Sequence, residues 1–263
     1  MKKIVIFLPF LMLIFIGCSS STNAGMVGAN RSQLFLISEN EMNQGANKAY
    51  AKVLQDAQAK GILNKNEKNT QRVRRISSDL ISQVGIFRED ALKWDWKVNV
   101  INSDTLNAWC MPGGKIVVYE GIITKLNLTD DEIAAIVGHE MSHALREHSR
   151  EQASRDQVKQ FGIFAISQFT GIGGSLANVA AQYTFVLPFS RENEVEADRM
   201  GIELAARAGY DPYAAVTLWQ KMLKASGASQ PEFLSTHPSP ENRIEDLKNV
   251  AKQIEPIYKA KKG

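Results

Sequence analysis

The segment from Thr129 to Leu145 narrows the choice of fold more than any other part of this chain. Thr129-Asp130-Asp131-Glu132 opens it: the threonine caps a helix, the glutamate three residues on reaches back, and the acidic turn suits the positive end of the helix dipole. Ile133, Ile136 and Val137 follow at helical spacing, so this helix is buried on that side. His139 and His143 come next, four residues apart, and therefore lie on one face one turn apart. Imidazoles inside a core helix require polar partners. The fold must bring a second polar element against this face.

The same spacing lets both rings reach one tetrahedral zinc ion at N–Zn distances of about 2.0–2.1 Å. Glu140 is rotated by about 100° from His139 and can reach a water at the metal without being a ligand. His139-Glu140-Met141-Ser142-His143 is thus the H-E-x-x-H arrangement of zinc metalloproteases, with the glutamate as general base. A catalytic zinc needs a third protein ligand. Three glutamates compete for that place in Glu192-Asn193-Glu194-Val195-Glu196-Ala197-Asp198. Glu194 and Asp198 share one helical face with the small Gly201, which allows close packing against the first helix. That face nominates Glu194 as metal ligand and Asp198 as the acceptor that orients a ligand histidine. Glu192 and Glu196 point elsewhere. His148, five residues beyond His143, is expected on another face, at the surface.

Around this core the pattern is mainly helical with a small sheet. Helices are expected over Glu39–Lys60, Asn66–Val84, Glu192–Ala208, Pro212–Ala225 and from Ser239 to about Ile254, with Pro256 as a stop. Trp94, Trp96, Val98 and Val100 alternate with polar residues, which marks a half-buried strand. Asn107–Met111 and Lys115–Tyr119 flank a Pro112-Gly113-Gly114 turn, so a mostly antiparallel sheet is expected. The Asn107–Met111 edge, with Asn107, Ala108 and Trp109, could take an extended polypeptide as an added strand, although Trp109 equally suits a core. Gly162 to Pro188 is apolar and glycine-interrupted, readable as a buried helical hairpin or as a lid near the site. Cys110, between Trp109 and Met111, reads as a small buried hydrophobe.

Met1-Lys2-Lys3 and the apolar run Ile4–Ile16 fit a secretory signal over residues 1–17, too short for a comfortable membrane span. Phe15-Ile16-Gly17-Cys18 resembles a bacterial lipoprotein box, with phenylalanine where leucine is usual; the resemblance implies lipidation of Cys18 and a membrane anchor there. Ser19 in the following position implies, by resemblance to bacterial sorting rules, an outer-membrane lipoprotein facing the periplasm. The rest of residues 18–38 reads as a flexible tether, and residues 39–263 as one domain. The net charge is +3, of which Lys2 and Lys3 supply two, so nothing in the charge points to nucleic acid. Without Cys18, Cys110 stands alone and no internal disulfide is possible.

His139-Glu140-x-x-His143 followed by Glu194-x-x-x-Asp198 resembles the HtpX-like and CAAX-prenyl-protease-like zinc metallopeptidases of peptidase family M48. Asn107-Ala108-Trp109 with Pro112-Gly113-Gly114, and Ser235-Thr236-His237-Pro238 with Arg243, resemble that family's flanking blocks, in its order. The resemblance runs from about Ser78 to Leu247, nearest to exported or mitochondrial Oma-type members. It implies an α+β, mainly α, zincin-like (gluzincin) domain with one zinc ion and a small sheet against the catalytic helix. It also implies endopeptidase action on a polypeptide, here unfolded or misassembled envelope proteins, and assigns His237 and Arg243 to the active-site cleft. His237 could donate to the oxyanion or occupy the fourth metal position and block it. The second option leaves open a lipoprotein chaperone or assembly factor with a latent protease site.

Overall fold

The computed structural model describes residues 18–166, 188–226, 231–238 and 242–263. Its strands are β1 (Cys18–Ser19), β2 (Gln33–Leu34), β3 (Lys97–Ile101), β4 (Ala108–Met111) and β5 (Lys115–Tyr119). Its helices are α1 (Glu39–Ala59), α2 (Glu67–Ile81), α3 (Glu120–Lys125), α4 (Asp130–Leu145), α5 (His148–Ile166), α6 (Arg191–Arg207), α7 (Ala214–Ala225), α8 (Glu232–Thr236) and α9 (Arg243–Lys262). The expected mainly helical architecture with a small sheet is present. The expected 1–17 signal falls outside the described residues, as do 167–187 of the apolar stretch and the anticipated cap at Ser239. Among the described residues no helix is long and apolar enough to cross a membrane.

The sheet is mixed, in the order β3-β5-β4. β4 and β5 pair antiparallel around the Pro112-Gly113-Gly114 turn, whereas β3 and β5 run parallel. The parallel pairing departs from the mostly antiparallel expectation: β3 does not turn directly into β4, so β5 can lie between them. The expected strand also starts later, because Trp94 ends a 3₁₀ turn over Glu89–Lys93 and its indole bonds back to Asp90. Helix α1 covers one sheet face, where Met42, Ala46 and Tyr50 pack with Trp109, Met111 and Val117. Helices α2 and α4 cover the other, with Ala108, Cys110, Ile116 and Val118. Trp109 is therefore a core residue on the α1 side, edge-on to Tyr50 at 6.0 Å.

The N-terminus of α4 forms as read: Thr129 and Glu132 make the reciprocal capping box. Helix α4 is buried almost all round and crosses α6 in backbone contact. A Cβ on Gly201 would lie 2.7 Å from the His139 nitrogen, and one on Gly138 would lie 2.9 Å from the Gly201 oxygen. The two glycines thus allow the crossing beside the histidines. Helix α9 continues through Pro256 to Lys262. Proline loses one backbone hydrogen bond there, while Ile257 and Tyr258 beyond it still pack on the core.

Residues 18–38 lie against the domain instead of hanging free. β1 pairs with β2. Ser20 and Thr22 accept from Arg146, the Gln33 amide donates to the Arg146 carbonyl at 2.6 Å, and Glu203 accepts the Met26 N–H at 2.8 Å. The small polar composition that reads as a tether supplies the partners that the buried Arg146 and Glu203 require.

Candidate metal centre

Helix α4 presents His139 and His143 inward, and their Nε2 atoms lie 3.1 Å apart. Two nitrogens on one tetrahedral zinc would lie roughly 3.4 Å apart, given N–Zn near 2.0–2.1 Å. Helix α6, capped by Ser190, brings Glu194 into the same space, with its oxygens 3.6 Å from His139 Nε2 and 3.4 Å from His143 Nε2. Glu194 Oε1 is buried without a hydrogen-bond partner. His237, at the end of α8, completes the group: ligand atoms of His139, His143, Glu194 and His237 all lie within 4.8 Å of one another. Two or three imidazoles and one carboxylate, buried and convergent, are a donor set for a divalent metal ion.

The electrostatics agree. Burial holds His139 and His237 well below the ordinary imidazole range and brings His143 down to about 3, so all three rings are neutral and carry a free lone pair. Burial, opposed by His237 and Arg243, raises Glu194 to about 7. A cation among these groups reverses that penalty. Asp198 lies one turn beyond Glu194, with Oδ1 2.9 Å from His139 Nδ1. The contact is one of charge and proximity, without hydrogen-bond alignment, and it leaves the other nitrogen, Nε2, facing the metal group.

Arg243 sits behind the set. Its guanidinium donates to Asp198 Oδ1 at 2.7 Å, lies 3.0 Å from Glu194 Oε2, and stacks on Trp219 with 3.3 Å from its central carbon to the ring centroid. His237 is as buried as the rest of the group. Its Nδ1 lies 2.9 Å from the Thr236 hydroxyl and 3.2 Å from the Phe233 carbonyl, which can only accept. Nδ1 must therefore carry the proton, and Nε2 faces the group as a lone pair, 3.4 Å from Glu140 Oε1.

Glu140 points toward β4 and accepts the Cys110 backbone N–H. Burial first, and then the Glu194 charge, push its carboxyl well above the usual range. β4 is an edge strand. The Tyr119 N–H bonds to the Asn107 carbonyl, so residues 107, 109 and 111 direct their main-chain groups at β5. Ala108 and Cys110 direct theirs away from it, along the edge beside Glu140. The Asn107 side chain accepts the Ala108 N–H and donates to Glu232.

His148 is fully buried, contrary to the surface position expected for it. That expectation continued one helix through His148, but α4 ends at Leu145 and Glu147, at φ 52°, reverses the chain. His148 Nδ1 then lies 2.9 Å from His143 Nδ1, and its Nε2 lies 3.1 Å from Glu196. Glu196 in turn accepts from Arg146 at 2.9 Å. None of these contacts follows from helical periodicity. No glycine, proline or asparagine stands between Leu145 and His148 to signal the reversal.

The model of Peptidase family M48 matches residues 67–251, which span the sheet, α4, α6 and His237. The chain is 37% identical over 166 residues to mitochondrial metalloendopeptidase OMA1 of Arabidopsis thaliana, covering 62% of this chain and 34% of that protein. It is 36% identical over 154 residues to the OMA1 of Schizosaccharomyces pombe, covering 58% and 45%. It is 29% identical over 185 residues to the beta-barrel assembly-enhancing protease of Escherichia coli, covering 65% and 38%. The matched part spans between a third and a half of each of these relatives. With the matched span enclosing a His-His-Glu metal group on two crossed helices, this chain belongs to peptidase family M48.

Proposed function

We propose that this chain is a zinc-dependent endopeptidase with His139, His143 and Glu194 as ligands and Glu140 as general base. The observation that carries this reading is Glu140 itself. A structural metal site has no use for a buried carboxyl, one oxygen of which lacks a hydrogen-bond partner, between the ligand histidines and the edge strand β4. Zinc, when bound, supplies a Lewis acid that polarises the scissile carbonyl and makes water a better nucleophile at neutral pH. Glu140 accepts the proton of the attacking water and delivers it to the departing amine nitrogen. The Cys110 N–H holds the carboxylate in place for both transfers. Asp198 fixes the tautomer of His139, and Arg243 holds Asp198 and Glu194 together. An extended polypeptide adds to β4 through the Ala108 and Cys110 carbonyls, since their N–H groups already bond to Asn107 and Glu140, which favours unfolded segments and loose side-chain selection. Asn107 shapes that edge, and Trp109 supports it from the α1 side.

The signal-like residues 1–17 and the lipoprotein-like Cys18 support a membrane-anchored enzyme, in our reading at the outer membrane facing the periplasm. The similarity to a protease named for β-barrel assembly supports misassembled envelope proteins as substrates.

The lone pair on His237 Nε2 favours a second state of the same protein. As a fourth ligand, His237 closes the site, and the chain then acts as a latent protease or assembly factor until the histidine withdraws. The deciding experiment compares cleavage of an unfolded protein by the zinc-loaded chain and its Glu140→Gln variant. The variant should retain zinc and lose cleavage by at least a hundredfold. Equal cleavage by both would show that Glu140 is not the base.

A further inference from the structure

Both ligand histidines of α4 have an outer partner, but of different kinds. His139 meets the Asp198 carboxylate directly. His143 meets no carboxylate at Nδ1; it meets a second imidazole, His148 Nδ1, at 2.9 Å. We infer that His148 is a positioning residue that fixes the tautomer and ring orientation of His143 for metal binding. This inference rests on the metal reading given above.

The proton assignment has one consistent solution. His143 can offer Nε2 to a metal only if Nδ1 carries its hydrogen. That hydrogen then points at His148 Nδ1, which must be the acceptor. His148 therefore carries its own hydrogen on Nε2, which faces Glu196 Oε2 at 3.1 Å. The carboxylate can accept there because Arg146 and Arg31 hold it, at 2.9 and 3.1 Å. The ring N–H of His143 meets His148, and that of His148 meets the Glu196 carboxylate, so each donor has an acceptor. Phe189 stacks on the His143 ring at 4.0 Å between centroids, leaving the ring little freedom to turn. The series ends on residues 18–38, which form a strap against the domain, since Arg31 and the Arg146 partners Ser20 and Thr22 all belong to it. The strap therefore braces the metal ligand through Glu196 and His148.

Three substitutions of His148 separate the hydrogen bond from the packing. Asparagine places an amide oxygen near the position of Nδ1 and keeps the acceptor toward His143. Glutamine places its amide near Nε2, keeps the reach to Glu196 and loses that acceptor. Phenylalanine fills the volume and keeps neither. The full-length protein and the three variants are titrated with zinc against a chromophoric chelator, and metal-free melting curves are recorded alongside. The expected result is zinc affinity within about threefold of the unaltered protein for His148→Asn, and roughly 10- to 100-fold weaker for His148→Gln and His148→Phe. If the phenylalanine variant does not fold, the asparagine–glutamine contrast carries the same decision. Equal affinity in all variants, or equal weakening by asparagine and glutamine, would overturn the inference while leaving the metal site intact. Failure of the unaltered protein to bind zinc would overturn the metal reading and this inference together.

Discussion

Glu194 is fully buried and holds a carboxylate that its surroundings disfavour. Its pKa lies at about 7, against 4.5 when unperturbed, with burial as the main cause. Below pH 4.5 the side chain is protonated in both folded and unfolded protein and costs nothing. Between pH 4.5 and 7 the unfolded chain releases its proton while the folded chain keeps it, so metal-free stability falls. Above pH 7 the full difference applies. At about 1.4 kcal/mol per pKa unit, this is on the order of 3 kcal/mol. Glu194→Gln removes the ionisable group, and loss of the Arg243 contact offsets part of the gain. Metal-free Glu194→Gln should therefore be more stable than the unaltered protein at pH 8, by about 2 kcal/mol, or roughly 4–8 °C in melting temperature. At pH 5 the two should melt together. Zinc should reverse the order: at a thousandfold excess over Kd it adds about 4 kcal/mol to the unaltered protein, and much less to the variant. The assay is thermal denaturation of chelator-treated protein at both pH values, with and without added zinc. Equal metal-free stability at pH 8 would show that Glu194 carries no such penalty. Equal stabilisation of both proteins by zinc would show that it is not a ligand.

Other perturbations address the rest of the site. His237→Ala should raise peptidase activity, measured on an unfolded substrate, if the Nε2 lone pair that faces the metal group closes the site; a fall would instead make the ring a transition-state donor. Gly201→Ala should destabilise the protein by about 1–3 kcal/mol and weaken zinc binding, since the added carbon meets the backbone of His139. Melting temperatures and zinc titrations read both effects, and an unchanged pair would refute the close-crossing argument. Cys18→Ala should abolish incorporation of labelled fatty acid and release the protein from the membrane fraction in a bacterial host; continued labelling would place the lipid elsewhere.

Much of the site was legible because it is local. The capping box at Thr129 and Glu132, the one-turn spacing of His139 and His143, and the shared face of Glu194, Asp198 and Gly201 are set by 3.6-residue periodicity. Short-range sterics and hydrogen bonds decide these features before any long-range contact forms. The small sheet was visible in the alternation of Val98 and Val100 and in the Pro112-Gly113-Gly114 turn. Whether β3 ran parallel or antiparallel was not, since strand direction depends on which edge receives it.

Tertiary structure decided the remainder. The chain reversal at Glu147 places His148 behind His143, and helical periodicity stops carrying information where a helix ends. Arg243 was assigned to the cleft by resemblance; that it faces Asp198 and Glu194 depends on how α9 packs against α6. Composition marked residues 18–38 as a tether, but buried Arg146 and Glu203 draw them onto the domain. Sequence determined which atoms could bind a metal and present them together on a helix. Only the packing of distant segments decided what holds those atoms in place, because a buried polar group takes its partners from whatever the fold brings near.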